Sequence, residues 1–205
     1  MQNIVKGEYG KLRCKWSGVT PDYIHYHDNE WGFPVKDDRK LFEKICLEGF
    51  QSGLSWRTIL TKRENFRKAF QQFDFHKIAR FGEKDVKRLL ADEGIVRHRG
   101  KIEAVIHNAK MVQLILQEYG SLSAYIWSFE PKKKSQTFQT VSTSFESIAL
   151  SKDLKKRGWK FVGPTTVYAF MQAMGLINDH AKQCFVRKEV DKAYKKFKKP
   201  VIIKR

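Results

Sequence analysis

The sequence predicts an all-α fold. Apolar residues recur at helical spacing in short stretches, and glycines or cap-forming side chains stand between those stretches. No stretch passes the alternation test for a half-buried strand. Residues 1–12 are polar and are expected to be loose. From Trp16 to Val35 periodicity is weak, and Asp, Gly, Pro and aromatic residues crowd together, which predicts structured loops and short turns. Asp37 is placed to cap a helix running to about Glu48, with Leu41, Phe42, Ile45 and Cys46 inward. Gly49 and Gly53 mark its end and a turn. Ser55 caps the next helix, which carries Trp56, Ile59 and Leu60.

Residues 62–72 read as a helix with Phe66, Ala69 and Phe70 on one side, and Asp74 begins a short one over Phe75, Ile78 and Ala79. Gly82-Glu83 opens a helix to about Ala91. The longest helix spans about 100–118, with Ile102, Val105, Ile106, Ala109, Val112 and Ile115 on one stripe, and Gly120 ends it. A short helix holds Leu122, Tyr125, Ile126 and Trp127. Residues 131–143 are polar and read as a loop. Ser144 caps a helix through Leu154, and Gly163-Pro164-Thr165 opens an apolar helix to about Met174, with proline at the position where it is tolerated. A basic segment follows as a helix to about Lys196. The organisation is a 1–12 extension, one unit of two helical lobes over 13–185, and a basic tail over 186–205.

The 205 residues carry 40 basic and 22 acidic side chains, a formal net charge of +18, which points to a polyanionic partner. Charge alone leaves DNA, RNA and an anionic membrane open. Three cysteines are too few and odd in number for a disulfide framework, so a reducing compartment is expected. The N-terminus has no apolar h-region, and no apolar run approaches the roughly 18 residues of a membrane span. The expectation is a soluble cytoplasmic protein. There is no P-loop, no GxGxxG, no nucleophile elbow, no HExxH and no deaminase zinc signature.

Three groups of residues carry candidate chemistry. His180 and Cys184 are four apart and share a helix face, and Cys14 with a histidine of the first segment would complete a Cys2His2 metal set. An extended stretch points His25 and His27 the same way, so both remain candidates for the fourth ligand. Trp159 to Thr166 lies between two helices and has the apolar–Gly–Pro–Thr pattern of a helix-hairpin-helix element, in which amides at the helix start hold a DNA phosphate without reading sequence. Lys160, Gly163 and Thr165 are its candidate contacts, and Arg97, Arg99 and Lys101 form a second phosphate-binding candidate. Tyr26, Glu48 and Trp56 lie in a segment dense in polar and aromatic groups, which suits a pocket that stacks a flat ring and bonds its edge.

The blocks CKW, YHDNEWG, LFEKICLEGFQSGLSW, GIVRHRGKI and LKKRGWKFVGPTTVYAFMQAMGLINDH, followed by Cys184, resemble the DNA-3-methyladenine glycosylase I family over about residues 13–184. The resemblance implies a helix-hairpin-helix DNA glycosylase fold, with a zinc site joining the N- and C-terminal segments. It implies a monofunctional enzyme that hydrolyses the N-glycosidic bond of 3-methyladenine in alkylated double-stranded DNA and leaves an abasic site. It places structural zinc on Cys14, His27, His180 and Cys184. The base pocket falls on Tyr26, Glu48 and Trp56, with Trp16 and Trp31 nearby and Glu48 as the catalytic group. The DNA-inserting turn falls at Gly53-Leu54. No membrane and no obligate protein partner are implied, and a monomer is expected. Many relatives in the wider superfamily place a catalytic aspartate after the hairpin. The residue in that place is Asp179, which in this branch is read as structural.

Overall fold

A computed structural model of the chain describes residues 3–7, 10–18, 20–132 and 140–202. The expected loop over 131–143 is described only at its two ends, because residues 133–139 lie outside the described residues. The same holds for residues 1, 2, 8 and 9 of the N-terminal extension and for the last three residues of the tail. The described residues form a helical protein with one small sheet. Its helices are α1 (Pro21–Asn29), α2 (Asp38–Gln51), α3 (Trp56–Thr61), α4 (Arg63–Ala69), α5 (Phe75–Ile78), α6 (Glu83–Ala91), α7 (Arg99–Tyr119), α8 (Leu122–Trp127), α9 (Phe145–Lys156), α10 (Pro164–Ala173) and α11 (Phe185–Lys196).

Two expectations need correction. The N-terminal stretch contains strands β1 (Ile4–Lys6) and β2 (Leu12–Cys14), paired antiparallel with Ile4 opposite Cys14. Three residues per strand are too few for an alternation signal, which needs roughly 4–8. The span Trp16–Val35, read as loops and turns, contains α1, which starts on Pro21 after an extended Thr20. Its inward side chains are Tyr26 and His27 in place of an aliphatic stripe, so the periodicity is hidden.

Side-chain caps set the other boundaries. Asp37 accepts from Lys40 N at 2.8 Å, Ser55 from Thr58 N at 3.1 Å, and Ser144 from Ser147 N at 3.1 Å. Each such cap stabilises by about 1 kcal/mol. Helix α2 runs through the centre and packs on α3, α7, α8 and α10. Its first residue, Asp38, accepts from Leu122 N (3.1 Å) and Ser123 N (2.7 Å), so one carboxylate caps α8 as well. Ile102, Val105, Ala109, Val112 and Ile115 of α7 are buried in the main core, and each fully buried aliphatic side chain contributes about 1.5–3 kcal/mol.

Helices α9 and α10 form the hairpin, and α7 holds it. Asn108, buried on α7, accepts from Lys160 N at 2.9 Å and donates to Lys160 O at 3.0 Å. Ser151 donates to Val162 O at 2.6 Å. Gly49 lets the hairpin approach α2: a Cβ there would stand 3.3 Å from the Phe161 Cβ.

Candidate active site and metal centre

Helix α1 places two functions on two faces. Tyr26 and His27 are neighbours turned about 100° apart by the helix, and both are buried. His25 falls on the exposed side, near Asn29. The helix thus turns His27, and not His25, toward the buried cysteines.

His27 faces the end of β2 and the start of α11. The ligand atoms of Cys14, His27 and Cys184, all buried, lie within 4.8 Å of one another, and the Cys184 Sγ to His27 Nε2 distance is 3.5 Å. The His180 ring stands beside them, 5.0 Å from that of His27 between centroids. His27 Nδ1 is engaged by Asp28 at 2.8 Å and His180 Nδ1 by Asn178 Oδ1 at 3.0 Å, which leaves both Nε2 atoms for a ligand. His180 Nε2 is buried and has no hydrogen-bond partner among the described residues. Burial pushes the His180 imidazolium down to about 3. A hydrogen bond with Cys14, opposed by burial and helped by His27, brings the Cys184 thiol down to about 4. Neutral imidazole and thiolate are the forms that bind metal, so the residues fit one. Arg13, beside Cys14 on β2, grips Asp28 through Nε (3.0 Å) and Nη2 (2.8 Å), so the strand that carries Cys14 also steadies the carboxylate that orients His27. Gly32, at φ +85°, leaves room for the His180 ring; a Cβ there would be 2.7 Å from His180 Cε1.

Tyr26 faces the other way, into a cavity of about 260 Å³. Trp16, Trp31 and Trp56 line it, with Glu48 and Lys44 from α2 and Gln172 from α10. The volume is below the roughly 300–1,000 Å³ of drug-sized pockets and suits a single flat ring. Trp16 and Trp31 meet edge to face at 5.1 Å, and Tyr26 and Trp56 lie 5.4 Å apart. The two aromatic pairs are joined by Trp16 and Tyr26 at 6.4 Å. Glu48 is only 5% exposed, and Lys44 Nζ bonds its Oε1 at 2.7 Å. The cysteine–histidine cluster and the cavity share walls. Trp31 packs on His180 at 4.6 Å, and Trp16 packs on His27 at 5.3 Å.

The family model for methyladenine glycosylase matches residues 16–188. The chain belongs to the methyladenine glycosylase family. It is 53% identical over 177 residues to DNA-3-methyladenine glycosylase 1 of Escherichia coli (strain K12), covering 84% of this chain and 95% of that one. A crystal structure of 3-methyladenine DNA glycosylase I superposes with a TM-score of 0.80 at 52% identity, covering 84% of this chain and 98% of that chain. A crystal structure of a variant of another 3-methyladenine DNA glycosylase I, in complex with 3-methyladenine, gives a TM-score of 0.80 at 37% identity over 85% of this chain and 97% of that chain.

In this member of the family, the other residues singled out in the sequence divide into free and engaged groups. Leu54 is 42% exposed, on a turn where Gly53 takes φ +81°. Lys160 and Thr165 are exposed at the hairpin, and Gly163 is the N-cap of α10. Arg99 is ion-paired with Glu83 and Glu103, each at 3.1 Å, and Arg97 with Glu93 at 3.6 Å. Lys101 is buried; its Nζ donates to Phe50 O (2.9 Å) and Ser52 O (2.6 Å), so it faces the end of α2. Asp179 is 1% exposed and accepts from Gln172 Nε2 at 2.6 Å, behind the cavity wall. Sequence reasoning missed Lys44 and Gln172. Lys44 had one usable signal, its position one helical turn before Glu48. Gln172 had none. Among the described residues no helix is long and apolar enough to cross a membrane.

Proposed function

We propose that this chain hydrolyses the N-glycosidic bond of 3-methyladenine in alkylated double-stranded DNA, releasing the free base and leaving an abasic site. The observation that carries the reading is a single cavity, lined by Trp56, Tyr26 and Glu48, in a member of the methyladenine glycosylase family. The lesion is flipped out of the duplex at a cost of a few kcal/mol, less for a damaged pair. Stacking on the aromatic walls returns about 1–3 kcal/mol. Glu48 accepts a hydrogen bond from the edge of the ring and orients it. Because 3-methyladenine in DNA is cationic, it is already a good leaving group. The C1′–N9 electron pair passes to the base, water adds to the sugar cation, and a proton is lost to solvent.

Leu54 fills the space left by the flipped nucleotide. The amides at the start of α10, with Lys160 and Thr165, hold a phosphate. Arg97 and Arg99 are further candidate phosphate contacts, and they would have to exchange their carboxylate partners for DNA. The metal is structural zinc, held by Cys14, His27, His180 and Cys184. With four protein ligands such an ion would brace the join between the terminal segments and take no part in activating water. The protein works as a cytoplasmic monomer on DNA, without an obligate protein partner.

Incubation with methylated DNA, followed by chromatography of the released bases, is expected to yield 3-methyladenine. DNA binding without release would replace the enzyme by a binding module. Glu48→Gln is expected to lose most of the release while still binding abasic DNA, and full activity would remove Glu48 from the mechanism.

A further inference from the structure

A carboxylate in an aromatic pocket invites the reading that the pocket selects a cation by charge. The structure places a cation there already. Lys44 is 5% exposed, one turn before Glu48 on α2. Its Nζ bonds Glu48 Oε1 at 2.7 Å and donates to Tyr26 Oη at 2.8 Å. The same atom lies 3.1 Å from the centroid of the Trp56 ring and 5.1 Å from that of Tyr26. An ammonium is therefore held by the same three side chains that the proposed function gives to the base. The nearest further charges also cancel. Arg63 of α4 pairs with Glu30 at 2.6 Å and lies 6.0 Å from the centroid of the Tyr26 ring. Two acids and two bases leave this end of the cavity neutral.

We propose that Lys44 is a specificity-determining residue: its ammonium offsets Glu48, so the pocket loses the preference for a cationic base that Glu48 alone would give it and takes the neutral base that departs at least as well. The proposal rests on the reading of the chain as a 3-methyladenine glycosylase. In the substrate the methylated ring carries a positive charge while N9 is bonded to C1′. When that bond breaks, its electron pair moves to N9, the base becomes neutral, and the charge passes to the sugar. Against a pocket holding Glu48 alone, the added cation destabilises the bound substrate more than the transition state, in which the charge is leaving the ring. Such a difference raises the rate of the chemical step and weakens ground-state binding. For unit charges several ångströms apart in a protein interior, the effect is on the order of tenfold or more. Glu48 keeps its second oxygen for the edge of the ring and supplies orientation, while the charge preference is set by the pair.

The test compares two small ligands, neutral 3-methyladenine and the permanently cationic 3,9-dimethyladeninium, binding to the full-length wild type and to Lys44→Met at pH 7, by calorimetry. The wild type is expected to bind the neutral base at least as well as the cation. In Lys44→Met the ratio is expected to move about tenfold toward the cation. Single-turnover release of 3-methyladenine from methylated DNA is expected to slow by a similar factor, with no weakening of substrate binding. An unchanged ligand ratio in a folded Lys44→Met overturns the proposal. Should that variant not fold, a tenfold preference of the wild type for the cation overturns it as well, and a preference for the neutral base supports it. Failure of the wild type to release 3-methyladenine at all would strike the glycosylase reading instead, since the ligand ratio is measured without DNA.

Discussion

Lys101 was a candidate phosphate contact by its sequence neighbourhood, and its place in the fold assigns it different work that can be measured. Replacing it with Met keeps most of the side-chain volume and removes only the ammonium. Two carbonyls at the end of α2, those of Phe50 and Ser52, then lose their donor. A hydrogen bond from a charged group contributes about 1.5–3 kcal/mol, and the cation also sits at the negative end of a helix. Solvent reaches the Ser52 side, so part of the loss is recovered, and a net cost of about 2–4 kcal/mol is expected. In a chain of this size that corresponds to a fall in melting temperature of about 5–15 °C. Thermal unfolding followed by circular dichroism reads this directly. A salt titration of DNA binding on the same variant reads the alternative, because removing a phosphate contact lowers the log–log slope by about 0.9. A Lys101→Met protein with unchanged melting temperature and a slope reduced by that amount would refute the structural role and restore the phosphate contact.

Stripping the proposed metal with a chelator is expected to lower the melting temperature and to weaken binding of 3-methyladenine together with it, because Trp16 and Trp31 pack on His27 and His180; an unchanged melting temperature after the metal is shown to be gone would sink the brace. Burial raises the Asp153 carboxyl, but hydrogen bonds from Arg157 and Tyr125 outweigh it and hold its folded pKa below the unfolded value. Its contribution is therefore fully present above the unfolded value of about 4 and is lost as pH falls through the folded one, so Asp153→Asn should flatten the acid side of a denaturation-midpoint profile. Truncation after Cys184 is expected to unfold the metal end, since Val186 and Val190 of α11 pack with Cys14 and Cys184, whereas Lys195→Gln with Lys196→Gln should leave the melting temperature alone and reduce the salt slope of DNA binding. An unchanged slope in that double variant would remove the tail from the DNA contact.

The helix boundaries were legible because cap chemistry is local: Asp37, Ser55, Asp74 and Ser144 each bond an amide two or three residues on, and their side chains announce it. The pairing of segments far apart in the chain was not local, and there the reading depended on what the residues resemble. Helix α1 escaped because its inward side chains, Tyr26 and His27, are the functional ones, and residues chosen for chemistry do not write an aliphatic stripe. The strands escaped by brevity. Lys44 escaped for a different reason. A lysine on an amphipathic helix reads as solvated, and only the arrival of α1 and α3 over that face closes it from water. Arg97, Arg99 and Lys101 were legible as positive charge, but not the partner of each: surface carboxylates for two of them, backbone carbonyls for the third.

Helix α7 touches both of the elements proposed to engage the duplex. In its first turn Lys101 secures the end of α2 just before Leu54, and seven residues later Asn108 clamps the hairpin backbone at Lys160. At 1.5 Å per residue the two anchor points are about 10 Å apart along a rigid rod, close to three base-pair steps. A rod does not stretch to accommodate its cargo, so under the proposed function the duplex is the partner that must yield. Under the function proposed above, a well-stacked stretch resists that distortion and a weakened pair gives way to it, which would make the stiffness of this one helix part of how the lesion is found.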